Sequence, residues 1–346
     1  MITFLLIALI LFCCYGLSVR PWQTDYLSLN KTTSIKGIFT VLVFLSHAIS
    51  YSAQPLANDI GARILSFLGQ MIVVLFFFYS GFGIMEQYGR RGESYLKSFF
   101  KNRVLKLLIH FDLAVLLFFI VQLILGNQYA ISDYIFCWIG WTSIGNSNWF
   151  IFDILVLYLF IYFALYTLEK YSTSKSFAII ILYLLTFLLW LFLHYMKLGL
   201  TWWYNTIIAF PLGATYSMIH PKIDSFHENK PLGFSFIVII SFFSWITFRN
   251  YLGNDSYGFS AILFALSVIG ISSFITFDNY ILRWLGNNCF TIYILQRIPM
   301  IILSHFELNK TFPLFIICSL FFTLLLVFVY NLTTSYLDTR LFPRKT

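Results

Sequence analysis

The chain has 346 residues, of which 60% are apolar, 21% aromatic and only 10% charged, with a mean hydropathy of +0.82 and a formal net charge of +8. A soluble domain carries about a quarter charged residues, so a water-soluble globule is excluded and the chain reads as an all-α, polytopic membrane protein whose solvent is the lipid bilayer. The basic residues form short clusters between apolar runs, which is a topology signal and not a nucleic-acid footprint, so no nucleic-acid partner is expected.

Eleven apolar segments of near-spanning length follow one another, at about 1–19, 36–53, 66–85, 105–125, 149–168, 177–195, 200–219, 234–251, 259–276, 285–306 and 312–330. The first lacks a basic leader and a small-residue cleavage site, so it is taken as a helix and not as a signal peptide. Lys and Arg divide unevenly over the alternate loops. Arg20, Lys31, Lys36, the cluster Arg90, Arg91, Lys97, Lys101, Arg103 and Lys106, then Lys170, Lys175, Lys222, Lys230, Arg283, Arg340, Arg344 and Lys345 fall on one side, seventeen in all. Arg63, Lys197, Arg249 and Lys310 fall on the other. The positive-inside tendency places the larger set in the cytoplasm, with the N-terminus outside, the C-terminus inside and the chain in the plasma membrane. No loop exceeds about 25 residues and no Pro/Gly/Ser-rich linker interrupts the pattern. The expected division is an N-terminal helix and loop (1–35), a membrane domain (36–330) and a cytoplasmic tail (331–346). Cys13, Cys14, Cys137, Cys289 and Cys318 show no CxxC or Cys/His spacing, so neither a disulfide framework nor a metal site is read.

Polar residues inside apolar segments are costly and mark function or a partner. On the second segment, Lys36 and His47 are eleven positions apart; at 100° per residue they share one helical face to within about 20°, roughly 16 Å apart along the axis. A cation at the cytoplasmic mouth is thereby aligned with an imidazole near mid-membrane, where a neutral ring can take a proton from a hydroxyl. A core histidine hydrogen-bonded to a neighbouring helix is the other reading. In Phe76-Phe-Phe-Tyr-Ser80-Gly81-Phe82-Gly83 a hydroxyl and two small residues permit close helix packing. Arg103 and Lys106, three apart on one helical face, suit a phosphate-rich ligand, against a role in topology anchoring. His110 and Asp112 lie just inside the fourth segment, where they pair with the basic cluster or serve transfer. Asn146, Asn148, Trp149 and Asp153 open the fifth segment, and Trp202, Trp203, Tyr204 and Asn205 the seventh, as an interfacial belt or as faces for a sugar.

Together these pieces resemble the acyltransferase-3 family of membrane acyltransferases, which move acyl groups, mostly acetyl, onto surface carbohydrates. The family's Arg-x10-His pattern is matched by Lys36 and His47, and its Phe-Phe-x-x-Ser-Gly-Phe by the run through Ser80-Gly81-Phe82. Its Arg-x-x-Arg pair is matched by Arg103 and Lys106. Trp149-Phe150, Phe210-Pro-Leu-Gly213 and Gly286-Asn-Asn-Cys289-Phe-Thr-Ile-Tyr293-Ile-Leu295 resemble three later motifs. The likeness runs from about Lys36 to Tyr330, a ten-helix core, leaving residues 1–35 as an addition. Lysine replaces arginine at 36 and 106, Gln296 stands where a histidine often follows the last motif, and Val74 stands where an acid often precedes the Phe-Phe.

The resemblance implies a membrane O-acyltransferase that uses cytosolic acyl-CoA, acetyl-CoA foremost, as donor co-substrate and needs no metal. Arg103, Lys106 and Lys36 would hold the donor. His47 would act as base or as transient acyl carrier, with Lys36 orienting and Asp153, or else Asp112, as the acid partner. Ser80, Asn148 and Trp149 would face the substrate. The acceptor would be a surface glycan or lipid-linked sugar of capsule, exopolysaccharide, O-antigen or peptidoglycan type, modified by this chain alone or with a separate periplasmic or extracellular transferase. A transporter or flippase of a lipid-linked glycan is the alternative; it would show Pro/Gly-interrupted helices in corresponding halves, which are not found in the sequence. A polysaccharide polymerase would carry a long, charged external loop, whereas residues 126–148 hold only Asp133 as a charge.

Overall fold

The computed structural model describes residues 1–23, 25–251 and 256–342. Helix α1 (Ile2–Cys14) is followed by a short strand β1 (Leu17–Val19) and the long α2 (Leu29–Ser50). Helix α3 (Ile60–Leu68) leads into α4 (Met71–Arg91), and α5 (Glu93–Phe99) runs through a π-helical turn at Phe100–Leu105 into α6 (Lys106–Ile124). The short α7 (Ile131–Phe136) precedes α8 (Trp149–Tyr171), α9 (Lys175–Met196), α10 (Ala209–Asn229), α11 (Pro231–Tyr251) and α12 (Tyr257–Ser272). Strand β2 (Ile275–Phe277), α13 (Tyr280–Asn287), α14 (Cys289–Leu295), α15 (Arg297–His305) and α16 (Phe312–Leu341) complete the fold.

Among the described residues, seven stretches are long and apolar enough to cross a membrane: α2, α4, the α5–α6 rod, α8, α9, α11 and α16. Three shorter apolar stretches, α1, α12 and α14–α15, together with the more polar α10, account for the other expected segments. Large apolar side chains point outward on α9, α11 and α16, among them Phe187, Phe243 and Phe321. Soluble proteins rarely expose such a belt, and lipid satisfies it. The chain is an all-α polytopic membrane protein.

Lipid tails are as apolar as leucine, so membrane helices associate through close packing and not through burial from water. Two glycine-mediated crossings supply it here. A Cβ on Gly81 would strike the Phe210 carbonyl and one on Gly213 the Phe78 carbonyl, so α4 and α10 meet backbone to backbone. In the same way Gly37 abuts the Leu282 carbonyl and Gly286 the Thr33 carbonyl, which joins α2 to α13.

Several boundaries differ from the sequence reading, each for a local reason. The second segment starts at Leu29, not 36, so Lys36 lies about two turns inside α2. The seventh becomes α-helical only at Ala209. The ninth stops at Ser272, because residues 275–277 pair antiparallel with residues 17–19, Leu17 opposite Phe277 and Val19 opposite Ile275. The tenth breaks at Asn288 and again at Gln296. Pro299 accounts for the second break, since it offers no N–H to the Leu295 carbonyl and its ring crowds that oxygen. A proline-interrupted helix, not found in the sequence reading, is therefore present in the tenth segment. Helix α16 continues to Leu341, so the tail expected from 331 is helical that far; Arg344 and Lys345, which entered the charge count, lie outside the described residues.

Branched side chains cannot fit at the crossings. Gly286→Val and Gly213→Val are expected to abolish the monodisperse peak on size exclusion after detergent extraction, whereas Gly89→Ala, whose new Cβ meets nothing within 4 Å, is expected to retain it.

Candidate functional site

The crossing of α2 on α13 holds open a cavity of about 400 Å³ between α2, α4, α8 and α14. Each wall is one helical stripe. From α2 come Lys36, Thr40 and Val43, and His47 is the next residue on that stripe. Helix α4 contributes Phe76, Tyr79, Ser80, Gly83 and Gln87, and α8 contributes Phe150, Ile154 and Tyr158. Cys289, Tyr293 and Gln296 line it from α14 and the break that follows. Helices α2 and α14 run opposite to α4 and α8, so Lys36, Gln87 and Arg103 gather at one end and Phe76, Phe150, Tyr293 and Gln296 at the other.

Arg103 reaches the cavity from the π-helical turn, with its Nε donating to the Tyr95 hydroxyl at 3.2 Å. Lys106 does not line the cavity with it. Its ammonium pairs with the Asp338 carboxylate of α16 at 2.6 Å, and His110 Nε2 lies 3.0 Å from the other oxygen of that carboxylate. The π-helical turn explains the separation: it advances less than the α-helical 100° per residue, so residues three apart no longer share a face. The basic pair expected at the donor mouth is thus one cavity arginine and one structural lysine.

At the opposite end His47 sits in the last turn of α2. Its Nδ1 lies 2.9 Å from the side-chain amide of Gln296, which is completely buried. The other end of that amide, Oε1, has no hydrogen-bond partner among the described residues. The Tyr293 ring packs against the imidazole with centroids 6.1 Å apart, and its hydroxyl is also buried without a partner. No hydrogen bond joins His47 to Asp153 or Asp112 among the described residues. The Asp153 carboxyl group is fully buried with neither oxygen partnered, close enough to Tyr293 for the two to interact electrostatically. The direct His47–acid pairing expected from the resemblance is therefore replaced by His47–Gln296. The reason is geometric: the break before Pro299 brings Gln296 to the ring, while neither Asp153 oxygen meets a partner.

Of the remaining expected residues, Ser80 faces the cavity. Asn148 is the N-cap of α8 without a side-chain capping bond, and Trp149 packs edge-on against the cavity residue Phe150. Two groups escaped the sequence reading. Gln296 was noted only as a departure from a motif. Arg297, inside the tenth apolar segment, is not counted with the loops; it follows Gln296 directly, and its Nε donates to the Tyr51 hydroxyl at 3.0 Å. Pro299, two residues on, was the available signal, since it marks where a helix yields its backbone and side chains to a cavity.

Cys289 lines the cavity and is only partly buried, so a small maleimide can reach it. In a Cys14→Ser, Cys318→Ser background, N-ethylmaleimide is expected to modify Cys289 and to spare the buried Cys13 and Cys137, as read by peptide mass spectrometry.

A family model described as an acyltransferase domain, that of the acyltransferase-3 family, matches residues 33–332. No curated protein and no solved structure gives a significant match. The match spans the cavity, both glycine crossings and every expected site residue, and the chain belongs to this family of acyltransferases.

Proposed function

We propose that this membrane acyltransferase takes acetyl from cytosolic acetyl-CoA through the Lys36–Arg103 end of the cavity and passes it, beside His47, to a hydroxyl of a cell-envelope glycan. The orientation follows the loop charges, which put Lys36 and Arg103 on the cytoplasmic side of the plasma membrane. The single observation that carries the reading is the layout of the cavity along the α2 stripe: a lysine and an arginine at a polar mouth, a largely apolar bore, and at the far end Gln296 and Tyr293, against which the His47 imidazole lies. A phosphate-rich nucleotide carrying a narrow thioester arm has that distribution of charge and bulk.

Lys36 and Arg103 hold the donor phosphates, Arg103 through the free fork of its guanidinium. The pantetheine arm lies along Thr40, Ser80 and Phe76, and the thioester reaches Tyr293 and Gln296. For transfer the Gln296 amide turns over from the resting orientation, in which its Nε2–H donates to His47 Nδ1, so that Oε1 accepts from Nδ1–H, the imidazole Nε2 is left unprotonated and the amide N–H groups face the thioester carbonyl. The acceptor hydroxyl attacks the carbonyl carbon as His47 Nε2 takes its proton. The new C–O bond forms, the C–S bond breaks, and the proton passes from His47 to the departing CoA thiolate. Asp153 acts through Tyr293, holding the wall of the site on the side away from Gln296, with Trp149 and Asn148 at the acceptor approach.

The test is steady-state transfer by the purified full chain in nanodiscs, with acetyl-CoA and envelope glycan from a strain lacking the gene. Lys36→Ala and Arg103→Ala are expected to raise KM for acetyl-CoA about tenfold or more, as loss of a charge-assisted contact does. Lys106→Ala is expected to leave that KM within about twofold, because its partner is Asp338. His47→Ala is expected to lower kcat by about 10²–10⁴-fold. An unchanged kcat in His47→Ala would overturn the assignment.

A further inference from the structure

Two arginines in this chain are held by the same device. Arg103 and Arg297 are both partly buried, and each spends its Nε on one tyrosine hydroxyl, Tyr95 at 3.2 Å and Tyr51 at 3.0 Å. Among the described residues neither has a carboxylate within ion-pair distance or any further hydrogen bond, so the Nη fork of each is uncommitted. Of the other sheltered cations, Lys36 is the donor-end lysine already assigned, Lys31 and Arg283 are paired with Asp25 and Asp278, and the rest are occupied differently. Lys106 is paired with Asp338, Lys197 donates to the Trp141 carbonyl between two tryptophan faces, and Arg249 donates to the Phe67 carbonyl. Arg103 opens onto the cavity mouth. Arg297 is the first residue after the helix break, directly following the cavity residue Gln296 that meets His47, and its partner Tyr51 follows His47 by one turn at the end of α2.

A guanidinium fixed at Nε with both Nη groups free presents the planar fork that binds a carboxylate or phosphate bidentately. An unpaired cation inside a membrane domain is costly and is retained where a ligand completes it. The donor's phosphates do not serve here, because their seat is at the Lys36 and Arg103 end, about 16 Å away along α2.

We propose that Arg297, steadied by Tyr51, is the acceptor-side anion seat, and that the glycan modified by this enzyme carries a carboxylate or a phosphate close to the acylated hydroxyl. This rests on the reading of the cavity as an acyl-transfer site and names the acceptor class for it. The anion belongs either to the sugar itself, as a uronate or an esterified phosphate, or to the phosphate of a lipid carrier. Binding through Arg297 sets the acceptor hydroxyl beside His47, so the residue acts on acceptor KM and not on donor KM.

The experiment uses the full chain in nanodiscs of zwitterionic lipid with radiolabelled acetyl-CoA, and envelope glycan from a strain lacking the gene. The glycan is offered in three forms: as isolated, with its carboxylates reduced to alcohols, and with its phosphates removed. The wild type is expected to lose about tenfold or more in kcat/KM on one of the two neutralised forms, and which form identifies the source of the anion. Arg297→Gln is expected to show that lowered rate on all three, Arg297→Lys an intermediate rate, and Tyr51→Phe a smaller loss confined to the acceptor KM. Equal transfer by the wild type to all three forms, or the wild-type preference surviving in Arg297→Gln, overturns the anion seat while leaving acyl transfer intact. Absence of label in every form, with His47→Ala indistinguishable from the wild type, overturns acyl transfer itself.

Discussion

The site depends on one contact between two backbones. Gly37 of α2 lies against the Leu282 carbonyl, and Gly286 of α13 lies against the Thr33 carbonyl, so neither helix shifts along the other without a steric clash. That register sets the Lys36–Thr40–Val43–His47 stripe opposite Cys289, Tyr293 and Gln296. The depth of the cavity and the meeting of His47 with Gln296 both follow from it. In a bilayer this is an economical way to hold polar groups in place, because close packing, and not hydrophobic burial, draws helices together. The second crossing, α4 on α10, does the same for the stripe from Phe76 to Gln87.

Upon this frame two local irregularities bear on the cavity and its far end. The π-helical turn at Phe100–Leu105 swings Arg103 to the cavity and leaves Lys106 to Asp338. The break before Pro299 releases Gln296 towards His47 and Arg297 towards Tyr51. Such departures cost helical hydrogen bonds and survive where buried protein groups repay the loss. Among the buried polar atoms left without partners in the described residues are those of Gln296, Tyr293 and Asp153. Native proteins leave few such groups, and a polar ligand is the usual complement.

Much of this was legible in the sequence. Apolar runs of bilayer length gave the membrane class, and the eleven-residue interval gave the shared face of Lys36 and His47, because both depend only on helical geometry. Gly81 was readable as a packing residue for the same reason. What escaped depends on where the helix is irregular. The i,i+3 argument that paired Arg103 with Lys106 assumes α-helical turns, and nothing in Phe-Lys-Asn-Arg-Val-Leu announces a π-helical one. The His47 partner was sought among acids, whereas Gln296 reaches it only because Pro299 breaks the tenth segment. That proline was visible, and so was Arg297, which a count confined to loops passes over. The β1–β2 pair joins residues far apart in the chain and has no local signal at all.

The most direct test of the central claim, that His47 governs acyl transfer to an envelope glycan, is NMR of purified surface polysaccharide from a deletion strain complemented with wild type or with His47→Ala at equal expression. The account predicts an acetyl signal that the deletion loses, wild type restores and His47→Ala does not. A signal restored equally by both, or one that the deletion never loses, would contradict it.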